Sequence, residues 1–532
     1  MGMNRLFGLV AVGLSVAIGI VTPAGSDELK VGARTEPASM DPHTIWSGAS
    51  TQFYVHYLGF LVRTTPDNKL IPALAETFKP LSDNEWEFVL RPNVKFGNGE
   101  PVTVADVIAS LNRARNNPRG SYASLFAGVT EFVEVDARTL RVKTSRPYPT
   151  LANSFSQIAI LPASVIAKVA TAEFGTAAAN VGAGPYKFVS FTPGDRLVLE
   201  RNDDYFGEKA RWSKVTFRFL TNNAARVAAL LAGDVDAIDG VPPEEIATLK
   251  ARPEFNVLSG PSDRAVYMSL DTERSPTPFI KGPNGEAIDK NPLADVRVRR
   301  ALSMAVDREA IRDRVMDGLS YPINQVGAPS LGGFNKELLP VKSDPAGARK
   351  LLAEAGWPNG FSLKLQCPSG RLVNDARICQ VLGQMLQRVG IKTEVEVTPY
   401  NVYISRMTNH AGERGSIFMS TWASSYAGEV GGALENVLHT YDKSRRLGAW
   451  NLGHYSNPKV DKLIVDSAVI LDSTKRHADQ AEAMRIAMED VGVLPLHLQA
   501  VVVAVRKGLD ATIYSNEYTI ADAIRPLAES KK

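Results

Sequence analysis

Trp86, Phe88 and Leu90 alternate with Glu85, Glu87 and Arg91, which is the period of a strand with one buried face. The Gly-Asn-Gly run at 97–99 then supplies the positive φ values that a tight reversal needs. Thr103 lies three residues before Asp106, the spacing of a helix-capping pair. Apolar residues recur every three or four positions over 104–114, so this stretch predicts a strand, a turn and a capped helix.

Strand, helix and strand patterns recur at 215–238 and at 362–397, where each helical pattern has one apolar face. This order predicts mixed α/β sheets. In the first unit Asn222 or Asn223 is expected to cap the helix, which Gly233 ends.

One long helix is predicted over 296–318. Its arginines at 297, 299, 300 and 308 are interleaved with apolar residues. An anion-binding role is one interpretation of these arginines, but we favour a solvated helix face, because charges interleaved in this way usually face water.

A length of 532 residues exceeds what one hydrophobic core supports, so two or three domains are expected. Lys and Arg number 60 against 57 for Asp and Glu, which gives a net charge of +3. This balance offers no electrostatic basis for nucleic acid or an anionic membrane as the main partner.

The first 26 residues have the pattern of a secretory signal peptide. Arg5 precedes an apolar run of 16 residues at 6–21, and small residues follow at 24–26. A membrane anchor is the alternative, but the run is shorter than the about 18 to 20 residues that a span needs. No cysteine lies near the cleavage region, so lipid anchoring is not indicated. We therefore predict an exported, soluble mature protein.

The chain has two cysteines, Cys367 and Cys379, which flank a short loop between a strand pattern and a helix pattern. Thiols of exported proteins oxidise, so a local disulfide is expected. Two separate buried thiols are the alternative.

Motifs for enzymatic chemistry are missing from the sequence. It contains no GxSxG, GxxxxGK[ST], HExxH or CxxC, and its seven histidines are not spaced to share a helical face. No catalytic residue, metal site or cofactor is predicted.

A long motif over 86–110 reads W-x-F-x-L-R-x-x-V-K-F-x-x-G-x-P-x-T-x-x-D-V-x-x-S. It resembles the signature of the bacterial extracellular solute-binding protein family 5, the dipeptide, oligopeptide, nickel and opine receptors of ABC importers. Blocks beginning at Gly182, Ala225 and Asn291 agree with it. The resemblance covers nearly the whole mature chain.

The resemblance implies an α/β fold of the two-lobed periplasmic binding protein type II, with mixed sheets, a hinge and an extra small subdomain. Residues 27–273 and 500–532 would form lobe I, with the subdomain at about 76–185, and residues 274–499 would form lobe II. The function implied is that of a monomeric periplasmic receptor, which captures a peptide-like, opine-like or glycoconjugate solute and delivers it to a membrane permease. The alternatives are an exported enzyme acting on such a solute, or a metallophore- or heme-binding receptor.

The resemblance also implies a ligand site around Trp422. In the peptide receptors the matching tryptophan stands at the cleft, and an aspartate shortly after it pairs with the ligand's α-ammonium. Ser425 occupies the aspartate's position here, and no carboxylate occurs before Glu429. A buried ammonium without a counter-charge is costly. The hydroxyls of Ser424 and Ser425 therefore favour a neutral polyhydroxylated or conjugated solute at this end.

An anionic end of the solute is assigned to Arg371, because relatives carry a basic group in this loop and a guanidinium binds a carboxylate or phosphate with two parallel bonds. A surface role is the alternative. By resemblance Thr44 and Trp46 touch the solute, although Trp46 is equally explained as a packed aromatic. Met268 and Asn451 are further candidates, each also explained by packing or turn formation.

Overall fold

The computed structural model describes residues 27–118, 120–408, 414–424 and 427–527. It contains both strands and helices, as the sequence patterns predict. The strands, in chain order, are β1 (Glu28–Ala33), β2 (Gly59–Phe60), β3 (Val62–Thr64), β4 (Leu70–Pro72), β5 (Ala75–Ser82), β6 (Glu85–Leu90), β7 (Val129–Glu134), β8 (Thr139–Thr144), β9 (Ala159–Ile160), β10 (Tyr186–Thr192), β11 (Arg196–Arg201), β12 (Lys214–Phe219), β13 (Ala237–Asp239), β14 (Phe255–Leu270), β15 (Ile280–Lys281), β16 (Ser320–Pro322), β17 (Ser362–Ser369), β18 (Lys392–Pro399), β19 (Ile417–Ala423), β20 (Leu494–Arg506), β21 (Leu509–Ala511) and β22 (Ile524–Pro526). The α-helices are α1 (Gly48–Tyr57), α2 (Val104–Asn116), α3 (Leu151–Phe155), α4 (Ala163–Ile166), α5 (Asn223–Ala232), α6 (Pro243–Lys250), α7 (Val296–Ala305), α8 (Arg308–Arg314), α9 (Pro345–Glu354), α10 (Asp375–Gln387), α11 (Tyr400–Thr408), α12 (Gly431–Ala433), α13 (Pro458–Ser467) and α14 (Ser473–Glu489).

A small antiparallel sheet has the strand order β5, β6, β8, β7, and α2 shares its core. The predicted capping pair is present at the start of α2. The Thr103 Oγ1 accepts a hydrogen bond from the Asp106 N–H at 3.3 Å, and the Asp106 carboxylate accepts one from the Thr103 N–H at 2.9 Å. The strand, turn and helix predicted over 85–114 are thereby confirmed.

A second, larger sheet extends through most of the molecule, in the order β10, β11, β12, β1, β13, β20, β14, β19, β17, β15. β1 runs parallel to β12 and β13, with α5 as the connection between the latter two. Asn222 caps α5 by accepting from the Ala225 N–H at 3.0 Å. The predicted mixed α/β unit at 215–238 is confirmed, with Asn222 rather than Asn223 as its cap.

β14 and β20 are the long central strands of this sheet and pair antiparallel, from Phe255 opposite Arg506 to Met268 opposite Leu494. They connect the strands of predicted lobe I with those of predicted lobe II. The lobe boundaries at 273/274 and 499/500 remain predictions.

On the lobe II side, β17 and β18 run parallel with α10 as their crossover, which confirms the second predicted unit. Apolar residues of α10 and β17 join one core cluster with those of α7 and α9. This packing fixes the end of β17, where the loop with Arg371 begins.

The single helix predicted over 296–318 was wrong, because the chain forms α7 and α8 with a break between them. Val306 is extended, with φ −86° and ψ 117°. Asp307 accepts a hydrogen bond from the Ala310 N–H at 2.9 Å and thereby caps α8. An aspartate side chain inside a helical pattern competes for backbone donors in this way and starts a new helix.

The solvated-face interpretation holds for Arg297 and Arg300, which are exposed, but was wrong for Arg299 and Arg308, which are buried. Arg299 donates to four backbone carbonyl oxygens. Arg308 Nε donates to the Pro495 carbonyl oxygen at 2.8 Å. Both guanidiniums thus satisfy carbonyl groups inside lobe II, which a charge pattern along one helix does not reveal.

The predicted signal peptide at 1–26 lies outside the described residues. Within the residues that the structure describes, no helix is both long enough and apolar enough to span a bilayer.

Candidate ligand-binding cleft

A cavity of about 270 Å³ lies where the ends of β17 and β19 meet α11 and the centre of β14. Most of its lining comes from the lobe II side of the sheet. Its walls are formed by Arg264, Pro368, Arg371, Leu372, Tyr400, Tyr403, Ile404, Met407, Met419, Ser420, Thr421, Trp422, Ala423, Trp450 and Leu452. The cavity therefore combines two guanidiniums with four aromatic rings and an apolar floor, without a lining carboxylate among the described residues.

The loop that carries Arg371 is fixed at both ends. Cys367 of β17 and Cys379 of α10 form a disulfide with a Cα–Cα distance of 6.4 Å, which confirms the predicted local bridge. Between them, the buried Asp375 carboxylate accepts hydrogen bonds from the backbone N–H groups of Arg371 at 3.0 Å and Leu372 at 3.1 Å. The Arg371 backbone is thus held before any solute arrives.

The Arg371 guanidinium lies over the Tyr400 ring, 5.6 Å from its centroid. Among the residues that the structure describes, no carboxylate lies within 4.0 Å of it. A guanidinium that stacks on a ring keeps its in-plane donors available for an anion.

Trp422 and Trp450 form an edge-to-face pair at the cavity, with ring centroids 6.4 Å apart. The Trp422 Nε1–H donates to the Ser424 Oγ at 3.0 Å, and Ser424 is itself buried. Ser424 therefore orients the Trp422 ring. Ser425, the position that replaces the aspartate of peptide receptors, lies outside the described residues.

Arg264 reaches the cavity from β14 and is paired behind it with Glu517. Its Nε lies 2.9 Å from the Glu517 Oε1, and Arg34 Nη2 lies 3.5 Å from Oε2. Burial alone would raise the pKa of Glu517, but the charges of Arg264, Arg34 and Arg371 outweigh burial and lower it. Glu517 is thus an anion at neutral pH.

Glu429, the first carboxylate after Trp422 in the sequence, does not serve the cavity. It is buried and accepts hydrogen bonds from Arg476 at 2.9 Å, His477 at 3.2 Å and Gln480 at 2.7 Å. Its carboxylate is already paired with Arg476 in the interior, so it is not a counter-charge for a ligand ammonium.

Thr44 and Trp46 lie on the lobe I side and do not line this cavity. The Thr44 Oγ1 donates to the Asp41 carbonyl oxygen at 2.9 Å, inside a turn. The Trp46 ring packs against the core of the small sheet, and the backbone N–H of Trp46 donates to the Ser121 Oγ at 2.6 Å. In this structure both residues have packing roles, and contact with a solute remains a prediction.

Met268 and Asn451 are interior residues. Met268 is 2% exposed and belongs to the core cluster that includes α7, α9 and α10. The Asn451 side chain donates to the His439 and Tyr455 carbonyl oxygens at 2.9 and 2.6 Å and accepts from the Tyr455 N–H at 3.0 Å. Packing and turn formation, the alternatives raised from the sequence, describe both residues here.

Residues 69–443 match the family model of the bacterial extracellular solute-binding proteins, family 5 Middle. The chain belongs to this family. The predicted function, a solute receptor of an ABC importer, is confirmed, and so is the fold of a type II periplasmic binding protein. Family members are binding proteins rather than enzymes.

Relatives of known name match this chain over nearly its whole length. The glutathione-binding protein GsiB of Pectobacterium atrosepticum is 26% identical over 485 residues, covering 89% of this chain and 88% of GsiB. The periplasmic murein peptide-binding protein MppA of Escherichia coli is 25% identical over 522 residues, covering 92% of each chain.

Solved structures show the same fold. HbpA2 from Haemophilus parasuis superposes with a TM-score of 0.80 at 21% identity, covering 94% of this chain and 99% of HbpA2. AgaA of A. tumefaciens R10, in complex with agropinic acid, superposes with a TM-score of 0.70 at 24% identity, covering 94% of this chain and 98% of AgaA.

Sequence reasoning missed Arg264, Tyr400, Trp450 and Glu517. Tyr400 carried a weak signal, since it lies three residues beyond the strand pattern that ends the predicted unit at 362–397. Arg264 and Glu517 carried none, because they are 253 positions apart and their contact leaves no local pattern. Nothing in the sequence around Trp450 marked it as a cavity residue.

Proposed function

We propose that this receptor binds a solute with an anionic group and without a free ammonium group, of the peptide-like, opine-like or glycoconjugate class, and delivers it to a membrane permease. The observation that carries the proposal is the lining of the cavity, in which Arg264 and Arg371 are the charged residues among those described. Arg371 grips the anionic group, and Ser424 positions Trp422 beside the solute body.

Physical chemistry supports this preference. A carboxylate or phosphate forms paired, charge-assisted hydrogen bonds with a guanidinium, and these are strong where water is excluded. A buried ammonium would require a carboxylate, and Glu429 is committed to Arg476. The rings of Trp422 and Trp450 offer apolar faces to the remainder of the solute.

The relatives support a peptide-like or opine-like solute, but they do not support the absence of an ammonium group, because glutathione carries a free α-ammonium. GsiB and MppA are named for glutathione and murein peptide, and AgaA was solved with agropinic acid. The proposed mechanism is closure of two lobes around the solute, driven by the difference in affinity between the closed and open states. We further propose that the protein acts in the periplasm as a monomer after removal of residues 1–26, and that it binds without chemical turnover. Thr44 and Trp46 remain proposed contacts from lobe I.

Native mass spectrometry of the mature protein, followed by denaturing release, tests the proposal. The expected result is a retained solute with an acidic group and no free amine. A released solute with an α-amine would overturn it. Chemical conversion of the solute by the protein would favour the exported enzyme, and a retained metal or heme would favour the metallophore or heme receptor.

Substitution of Arg371 tests the site itself. Arg371→Gln is expected to weaken binding of the released solute by about 2 kcal/mol or more, which is about thirtyfold in Kd. The matched control is Arg377→Gln, since Arg377 is exposed on the same segment and outside the cavity. Equal affinity of both variants in calorimetric titration would show that Arg371 does not bind the solute.

A further inference from the structure

The two guanidiniums of the cavity differ in their charge balance. Arg264 forms a fork with Glu517, in which Nε lies 2.9 Å from Oε1 and Nη2 lies 3.3 Å from Oε2. The buried Asp263 carboxylate adds a second negative charge beside Arg264. Arg371 has the Tyr400 ring and no carboxylate within 4.0 Å among the described residues.

An irregularity in β14 places Arg264 between these groups. The pairing of β14 with β20 shifts between Pro261 and Ala265, while Arg264 pairs with Ala423 of β19. A bulge of this kind bends a strand and redirects its side chains. Arg264 therefore lines the cavity on one side and contacts Glu517, from the C-terminal segment, on the other.

Glu517 is held in this position by its surroundings. Its side chain is 14% exposed, its backbone has a φ of 67°, and it also lies 3.5 Å from Arg34 Nη2. A non-glycine residue with positive φ is uncommon and is held there by its surroundings. The carboxylate is thus held against Arg264, whereas Arg371 has no carboxylate within 4.0 Å among the described residues.

We propose that Glu517 is a specificity-determining residue that limits the solute to one anionic group. The anion binds Arg371, and a second anion at Arg264 is rejected by the charge of Glu517. This inference rests on the proposed function, since it assumes that the cavity holds the solute. Two general rules support this inference. A carboxylate in a poorly solvated site repels a ligand anion that comes close to it, and a charge that becomes buried requires a partner of opposite charge.

Four derivatives of alanyl-phenylalanine that differ in their charged groups test the effect of solute charge on affinity. They are the free dipeptide, its N-acetyl form with one negative charge, its N-succinyl form with two, and its N-acetyl amide with none. Wild-type protein is expected to bind the N-acetyl form at least about tenfold more tightly than the other three in calorimetric titration. In Glu517→Gln, Arg264 loses the carboxylate with which it forms paired hydrogen bonds, so the N-succinyl form is expected to become the preferred probe.

Glu134→Gln is the matched control, because Glu134 is exposed on β7 in the small sheet. It should keep the wild-type order. An unchanged order in Glu517→Gln would overturn the role of Glu517 while leaving the receptor function intact. Failure of wild-type protein to bind any probe or to retain any solute would overturn the proposed function and this inference together. A retained dianion would overturn this inference alone.

A double variant covers the case in which Glu517→Gln does not fold. Arg264→Gln with Glu517→Gln removes both partners of the buried pair, so neither charge of that pair is left unpaired. Arg371 then remains, and the N-acetyl probe is expected to bind within about threefold of wild type. Loss of that binding would show that Arg264 receives the anion and would overturn the proposal.

Discussion

Reduction of the Cys367–Cys379 disulfide should destabilise lobe II without weakening the solute site. The cysteines are 12 residues apart, and a crosslink across such a loop contributes about 3 kcal/mol in the chain-entropy model. The chain has no other cysteine, so a reductant changes this bond alone. We expect the free energy of unfolding of lobe II to fall by about 3 kcal/mol.

The solute affinity is expected to change little, because the loop has a second anchor. The Asp375 carboxylate accepts from the N–H groups of Arg371 and Leu372, and hydrogen bonds to a charged group contribute about 1.5 to 3 kcal/mol each. These bonds persist in the reduced folded protein and keep Arg371 in place. The Kd should therefore change by less than about threefold on reduction.

Guanidinium unfolding followed by tryptophan fluorescence measures the first effect, on protein refolded with and without reductant. Cys367→Ala with Cys379→Ala is the control, which should not respond to reductant. A stability change below about 1 kcal/mol would refute the loop-entropy account. A tenfold loss of affinity would refute the role given to Asp375.

Two further predictions concern the scaffold. Glu429→Gln leaves Arg476 buried without a charged partner and should cost about 3 to 5 kcal/mol in unfolding free energy. Burial would raise the pKa of Glu429, but hydrogen bonds from His477, Gln480 and Arg476 and the charge of Arg476 lower it. The stability that the Glu429 carboxylate contributes is therefore present above pH 4.5 and is lost as pH falls through the lowered pKa. An acid titration of the wild type and the variant checks this pH dependence. Gly182→Ala places a Cβ 2.0 Å from the Tyr57 carbonyl oxygen and should cost about 3 kcal/mol, whereas Gly175→Ala meets no atom within 4 Å and should be neutral in thermal unfolding.

Local signals made most elements predictable. The start of α2 is specified by Thr103 and Asp106, which are three residues apart, and α5 is delimited by Asn222 and Gly233. Such caps depend on backbone groups a few positions away, so sequence alone contains the interaction. The break between α7 and α8 had the same kind of signal in Asp307, but the stronger helical period over 296–318 hid it.

The cleft was predictable only in part. Trp422 and Arg371 were found through the family resemblance, and the structure brings both to one cavity. Arg264 and Glu517 were not found, since they are 253 positions apart and meet only when β14 and the C-terminal segment pack together. Arg299 was misread for the same reason, because its carbonyl partners near 490 lie on another element.

The family motif and the solute site occupy different parts of the molecule. Residues 86–110 build the small sheet and α2, and no residue of that stretch lines the cavity with Arg371. A motif that specifies the scaffold is compatible with many solutes, because specificity depends on the side chains placed upon it. Family membership therefore establishes a receptor, whereas we propose that the charge of its solute depends on Arg264, Arg371 and Glu517. The order in which the charged dipeptide probes bind is consequently more informative about the solute than any further comparison of the motif.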